Sequence, residues 1–549
     1  MGGWNVNGRD GTKVADPKQM MGMFIAEVFE KAKELQEMLD RDPLLFEQVE
    51  QEAKELFDYG TGLFLTGLIA KTMQTKEHTQ RSDSVRENYI IPLRSGQDRQ
   101  VEVHMGSGFP CYATTRYCQP KNRSEKEEDH TPGLDIELSL FGFSGNVSPW
   151  LVSKVTRTVA LATSLDQAYK ELQRDGIKLE RNMIDRIVTQ SGSEMLTVRE
   201  RMLGEFESGS MVQGTEFAGQ KVSVQIDGGR TRTRSELVAI DPLENFGKTQ
   251  SEVSGVPSQG RSKEKRRTGT FTATWREPKV LKIYVHGSDG RKNEAFSELI
   301  DGSFGDADYL ERIIAMQMFR LGANQAASIT FNSDGATWIW GRIDSILSRA
   351  KVSKEVLIFQ VLDVYHAAEN LSKGIKALGQ DPVENKPDQG NEQLDEALQF
   401  NELRSELRDG NWSQVADRLE QSLGKSKDNP KLDRDEVVRV IKYIRQHGEA
   451  GHLDYPKFSL MGLPLGSGSI ESAIRRVINL RMKNNGTFWR LPKAECILVL
   501  RASILSGRWD EDRKRIKLSM QVNRKQAKPP LVESASRKSD ERKVLAKTQ

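Results

Sequence analysis

Between Lys221 and Tyr365 the spacing of apolar residues changes, and that change constrains the fold more than any other feature of the 549-residue chain. KVSVQID alternates Val222, Val224 and Ile226 with Ser223, Gln225 and Asp227, the two-residue period of a strand. WREPKVLKIYVH, ASITFNSD and EVLIFQVLDVYH are further strand candidates, and DADYLERIIAMQMFRLG is a helix in which Asp308 and Glu311 suit a capping box. Elsewhere the spacing is helical. MFIAEVFEKAKELQEML and LFEQVEQEAKELFDYGTGLF near the N-terminus carry apolar residues three and four apart. Residues from about 371 to 460 return to that pattern, most clearly in LDEALQFNELRSEL and DEVVRVIKYIRQHG. The fold class expected is mixed, helix-rich α/β.

With 37% hydrophobic and 29% charged residues the chain can bury more than one core, and two to four domains are expected. The longest apolar stretch, LFLTGLIA from Leu63, falls well short of the roughly 20 residues that span a bilayer. No charged-then-apolar export signal opens the chain, so an intracellular, cytoplasmic protein without a membrane partner is expected. Three cysteines, Cys111, Cys118 and Cys496, make no disulfide framework. Cys111 and Cys118, even with His104 or His130, lack paired CxxC spacing, so zinc is not expected.

Charge is uneven along the chain. From Arg475 onward twenty Lys/Arg face seven Asp/Glu, a surplus of thirteen that leaves the preceding residues ten negative within a net +3. A basic end of this kind suits a polyanion, although a solvated tail has the same composition. A second basic surface is read from SLDQAYKELQRDGIKLERNMIDRIVTQSG, two helices around an Asp-Gly turn. Ala168 and Leu172 would face inward with Ile177, Ile184 and Ile187, while Lys178, Arg181, Asn182 and Arg186 would be offered to a phosphate backbone or major groove. The polar stretch CQPKNRSEKEEDHTPG reads as a loop or linker, and the Gly/Ser-rich, basic GKTQSEVSGVPSQGRSKEKRRTG as a long hairpin connection or a mobile excursion.

Three carboxylates stand out. Asp227 ends one strand before Gly-Gly and Asp334 ends another before Gly335, where a small neighbour lets a ligand approach, although Asp-Gly is also a common turn dipeptide. Glu471 lies in GSGSIES, with Ser469 a plausible helix cap. Ile470, Ala473, Ile474, Val477 and Ile478 form the buried stripe of its helix, and Arg475, Arg476, Arg481 and Lys483 line the other faces. The plain account of Glu471 is dipole compensation and an i,i+4 pair with Arg475. The glycines there are no phosphate loop, because Ser-Ile-Glu stands where Lys-Ser/Thr is required. Taken together, the acids can serve two hard divalent cations, which activate an attacking oxygen and stabilise a leaving one in phosphoryl transfer.

IDGGR at Asp227, SDGATWIWGRI at Asp334, VLDVYHAAENL at Asp363 and PLGSGSIESAIRRVINLRMKNNGTFW at Glu471 resemble, in order and spacing, bacterial insertion-sequence transposases of the Kra type, in the Mutator-like DDE group. The resemblance runs from about residue 144 to 510, and SDGATWIW and GSGSIES are its specific blocks. It implies an RNase H-like catalytic core interrupted by an all-helical insertion. The corresponding division is a helical N-terminal region (1–110), a polar linker or degenerate ribbon (111–148), a helix-turn-helix-like region (149–205), the core's first part (218–371), the insertion (372–460), the core's last part (461–510) and a basic tail (511–549). It further implies Asp227, Asp334 and Glu471 as catalytic, metal-binding acids for two Mg²⁺ or Mn²⁺ ions, and it matches Asp363 and His366 to a DxxH element that would position scissile DNA or organise the start of a helix. Relatives tend to carry a cysteine-rich ribbon upstream, whereas the block RYCQPKNRSEKEEDHTPGLD has one cysteine.

The expectation is a DNA transposase that cuts and joins element ends, working on double-stranded DNA near the bacterial nucleoid as a homodimer or larger assembly. Arg475, Arg481 and Lys483 would contact phosphates and Trp489 would stack on a base, while Trp338 and Trp340 pack in the core. A transposase-derived DNA-binding regulator and a structure-selective nuclease of the same core are the alternatives.

Overall fold

The computed structural model describes residues 4–5, 17–87, 93–94, 96–108, 111–119, 133–236, 271–379, 400–426, 429–484 and 486–522. The polar stretch from 120 to 132, the basic stretch from 237 to 270, His130 and the tail beyond 522 lie outside them. The described residues fall into two compact units, divided at Val198/Arg199 and again at Trp509/Asp510.

The first unit opens on two long helices, Pro17–Arg41 and Phe46–Met73, joined by a short turn capped by Asp42, whose Oδ1 accepts from the Leu44 N–H. They bury Met20, Phe24, Leu63, Ile69, Ala70 and Met73 against Val103, Cys111 and Leu138. Where the sequence reads helix and then linker, Gln97–Val103 and Cys111–Cys118 form an antiparallel hairpin, with Leu134–Asp135 paired to its second strand. The hairpin is fastened by Arg116, which holds Glu137 at 2.7 Å and Asp83 at 2.9 Å. Cys111 and Cys118 lie at opposite ends of one strand, both thiols buried, and burial pushes Cys111 up to about 11. Helices Pro149–Leu161, Leu165–Arg174 and Arg181–Glu207 follow. Ser164 caps the second through the Gln167 N–H, and Gly176, at φ +78°, turns the chain toward the third.

The second unit holds a five-stranded mixed sheet whose middle strand is Lys221–Gly228. On one side Lys279–Val285 runs antiparallel to it and Leu299–Ser303 antiparallel to Lys279–Val285 in turn, and on the other Ser328–Ser333 and then Leu357–Leu362 run parallel to it. The alternation of the Lys221 strand suggests one wet face, yet Ser223 and Gln225 are as fully buried as Val222 and Val224. A central strand with both faces covered has no solvent side. Helix Ala307–Leu321 packs its Leu310, Ile313, Ile314 and Met318 under the sheet. Its cap is Asp306, which accepts from the Tyr309 N–H; the residues read as a capping box go elsewhere, Asp308 to Arg342 and Glu311 to Arg349. After Leu362 the chain enters a helical region, Val364–Ala377, Phe400–Arg408, Trp412–Lys425 and Arg434–Glu449, with its own core of Leu371, Leu403, Leu419 and Val440. The chain returns through Tyr455–Leu460 to the Glu471 helix and the buried helix Leu491–Leu505. The mixed, helix-rich α/β class is therefore as expected.

Candidate active site

Register places the acids. In the parallel part of the sheet Ser333 pairs with Ile226 on one side and with Leu362 on the other. The next residue of each strand is an aspartate, so Asp227, Asp334 and Asp363 end three adjacent strands at one level, with neighbouring strands spaced about 4.8 Å apart. The carboxyl ends of parallel strands are where open α/β sheets leave room for ligands.

Asp363 is spent on structure. It is fully buried and caps helix Val364–Ala377, its Oδ1 accepting from the Tyr365 and His366 N–H groups at 2.6 and 2.8 Å and its Oδ2 from the Ser467 N–H. It joins two segments a hundred residues apart, which favours the helix-start reading of this residue over a ligand role. Asp334 accepts from the Ala336 N–H at 3.1 Å, and its carbonyl accepts from the Trp340 indole N–H at 2.9 Å. Trp338 and Trp340, read as strand-like, lie on a single helical turn, Thr337–Trp340, and pack partly buried against the core as expected.

Glu471 arrives from far along the chain because the sheet holds the segment before it. Lys221 donates to the Met461 carbonyl at 3.3 Å, Asn332 to that of Pro464 at 2.9 Å and Gln225 to that of Gly466 at 3.3 Å. The Gln225 carbonyl oxygen then accepts from the Ile470 N–H at 3.0 Å. Gln225 is the positioning residue the sequence reading passed over; its only signal was a large amide on what read as the polar face of a strand. The helix starts at Gly468 with Ser467, not Ser469, at its cap position, and the Ser467 hydroxyl donates to Glu471 at 3.1 Å. Ile470, Ala473, Ile474, Val477 and Ile478 form the buried stripe. Glu471 does not take Arg475 as its close partner; His366 Nε2 stands 3.7 Å from its carboxylate and His366 Nδ1 3.4 Å from Glu369.

The helix widens into a π-turn over Arg475–Asn479, and Arg501 reaches its Arg476 and Val477 carbonyls, the latter at 2.8 Å. Extra carbonyls freed by such a turn need a donor, and π-turns concentrate at functional sites. Burial and the nearby Arg481 pull the Arg501 guanidinium down to about 10.

Electrostatics ties the acids together. Burial pushes Asp227 up to about 6; the charges of Asp334 and Glu471 push the same way, against the Gly228 N–H and His366. An all-oxygen set with surplus negative charge is what hard divalent cations such as Mg²⁺ or Mn²⁺ select. Among the described residues, no three His, Cys, Asp or Glu side chains are drawn into a closed ligand group.

The glycines beside the acids have a different use from the one their position suggested. A side chain on Gly335 would run into the ring of Tyr443, from the helical region, and one on Gly229 into Ile478 of the Glu471 helix. They are small so that neighbouring elements can close over the sheet edge. The Tyr443 hydroxyl is pushed up by burial and by the charges of Asp334 and Asp363.

The basic residues divide. Arg475 and Lys483 are exposed. Arg481 and Trp489 are both 7% exposed, the guanidinium lying 5.1 Å from the indole ring. Trp489 donates its ring N–H to the Met482 carbonyl at 3.1 Å, and its backbone is bonded to Arg232 and Arg234 of the hairpin Thr231–Glu236 and Phe271–Arg276. In this conformation neither side chain has a face for DNA, because each is the other's packing partner. In the first unit Lys178, Arg181, Asn182 and Arg186 are exposed, while Ala168, Leu172, Ile177, Ile184 and Ile187 are buried. Arg181 is shared with Asp166 at 2.6 Å and lies over Tyr169.

No protein-family model and no curated protein matches the chain. Among the described residues no helix is long and apolar enough to cross a membrane.

Proposed function

We propose that this chain is a DDE transposase, with an RNase H-like core that cleaves and rejoins DNA strands at the edge formed by Asp227, Asp334 and Glu471. The observation that carries the reading is geometric: strand register puts Asp227 and Asp334 side by side at one sheet edge, and Gln225 of the Asp227 strand accepts from the Ile470 N–H and so holds the start of the Glu471 helix to that same strand. Strand order supports it as well: three antiparallel strands, the first of them central, then two parallel ones, with an acid ending the first and fourth in chain order. A pair of Mg²⁺ or Mn²⁺ ions at the three acids would supply Lewis-acid activation of water and of the leaving oxygen.

The chain's own residues do the rest. Asp227 and Asp334 present oxygens from backbone fixed by strand pairing, and Ser467 and His366 orient the Glu471 carboxylate from two sides. Arg475 and Lys483 receive the phosphates of the bound strand, and Lys178, Arg181, Asn182 and Arg186 serve duplex DNA through the helix pair of the first unit. Arg481 and Trp489 brace the Glu471 segment instead.

The test is incubation with DNA carrying the element's own ends and Mg²⁺. Glu471→Gln and Asp227→Asn are each expected to abolish cutting while DNA binding, followed by gel shift, persists; undiminished cutting by either refutes the assignment. Joined products separate a transposase from a structure-selective nuclease, and binding without cutting by the native chain would leave the regulator.

A further inference from the structure

Next to the acid edge lies a pocket of about 150 Å³ that none of the roles above uses. Its floor is apolar, made by Val364, Ala368, Leu407 and Leu465, and its rim carries Tyr365, Arg404 and Arg408. Tyr365 is 63% exposed. Both arginines are exposed and one helical turn apart. The acids of their own helix do not neutralise them, because Arg418 takes Glu402 and Glu406. An apolar floor, an open aromatic ring and two guanidinium groups that form no ion pair among the described residues suit a ligand with a flat, weakly polar face and a phosphate beside it. The pocket also shares chain with the site. Tyr365 precedes His366, which faces Glu471, and Gly466 precedes Ser467, which bonds both Asp363 and Glu471.

We infer that this pocket seats one unpaired nucleotide of the DNA strand engaged at the acid edge, its base stacked on Tyr365 and its flanking phosphates on Arg404 and Arg408. The inference rests on the DNA-processing reading and adds a preference that the three acids alone do not supply: DNA with a displaced base next to the reacting phosphate over fully paired duplex. Extruding a base costs least where it is already unpaired, so the site favours distorted ends.

The experiment uses the full chain, Ca²⁺ in place of Mg²⁺, and a short duplex with one unpaired 2-aminopurine nucleotide. The native chain is expected to quench the 2-aminopurine and to bind this duplex more tightly than its fully paired counterpart. Tyr365→Ala is expected to lose the quench and to weaken binding of the bulged duplex roughly 5- to 100-fold, with binding of paired duplex unchanged. The double variant Arg404→Ala/Arg408→Ala is expected to flatten the salt dependence of binding by about 1.4 in log–log slope, a change that Tyr365→Ala does not produce. All three side chains are at the surface, so the variants keep the core. Equal affinity for bulged and paired duplex, or a Tyr365→Ala variant that still quenches, overturns the inference. So does a polyglutamate peptide that binds the native chain and is lost with the same arginines, since that would make the pocket a seat for an acidic protein. Quenching by a chain that never cuts DNA with Mg²⁺ would remove the proposed activity and keep the pocket; cutting without quenching would remove the pocket alone.

Discussion

The edge of the sheet and the helix that carries Glu471 bring carboxylates to one place by opposite means. Asp227 and Asp334 are extensions of paired strands, and their positions follow from ladder bonds to neighbours on either side. Glu471 is half exposed, on a helix of seven residues followed by a π-turn; its carboxylate accepts from the Ser467 hydroxyl, and the start of its helix is held by Gln225, which accepts from the Ile470 N–H, and by Asp363, which accepts from the Ser467 N–H. Two acids are set by the fold and the third by a few polar side chains. If the three acids hold metal ions as proposed, such a division would let one of them adjust to substrate while the others stay in place, and the two kinds of residue should fail differently.

The largest contrast is expected from changing side-chain length by one methylene. Asp227→Glu pushes a carboxylate into a ladder that cannot yield and should lower cleavage by about 100-fold or more, whereas Glu471→Asp on its looser helix should lose about tenfold. Single-turnover rates at saturating Mg²⁺ measure both, and equal losses would remove the distinction. Gln225→Ala cuts the tether without touching an acid. It is expected to cost about 10- to 100-fold in rate or metal affinity, with the Glu471 helix displaced and Asp227 unmoved.

A pH experiment sharpens the comparison from the side of the helical region. His447 and His452 share a 2.9 Å contact between their Nδ1 atoms, His452 Nε2 lies 3.0 Å from Gln360 Oε1, and Trp340 stacks on the His452 ring at 4.4 Å. Burial pulls both imidazoles down to about 4, His452 adding to the effect on His447. Both are neutral in the folded state at neutral pH and reach about 6.5 when unfolded, so the unfolded chain binds more protons between those values. Stability is therefore held above pH about 6.5, falls as pH drops toward 4, and loses on the order of 3 kcal/mol per imidazole. Urea midpoints at several pH values measure this; a His447→Gln/His452→Gln variant should flatten the dependence. The smallest effect is expected from Trp489→Phe, which removes the bond to Met482 and should cost about 1 kcal/mol while leaving DNA affinity alone. A large loss of DNA binding in that variant would return Trp489 to the DNA surface.

Much of the site could be read from local pattern, and the misreadings share a cause. Asp227 and Asp334 were legible as strand ends, and the stripe from Ile470 to Ile478 as one buried helix face, because period and termini are properties of neighbouring residues. Ser467 rather than Ser469 at the cap, Asp306 rather than Asp308, and the hairpin 97–118 in place of a linker are errors of boundary and context. The glycines beside the acids were legible as small residues but not as contacts for Tyr443 and Ile478. Arg481 and Trp489 read as exposed because helical spacing does not reveal what packs against a face; here it is each other and the strand Thr231–Glu236.

By itself the amino-acid order determined the alternation of strand and helix, the interposed helical region, and which acids end strands. Only the tertiary structure decided that three strands stop in register, that Asp363 becomes a joint, and that Gln225 carries Glu471 to the sheet. The reason is physical: a two- or four-residue period is set by adjacent residues competing for water or core, whereas register and tethering depend on partners hundreds of residues away.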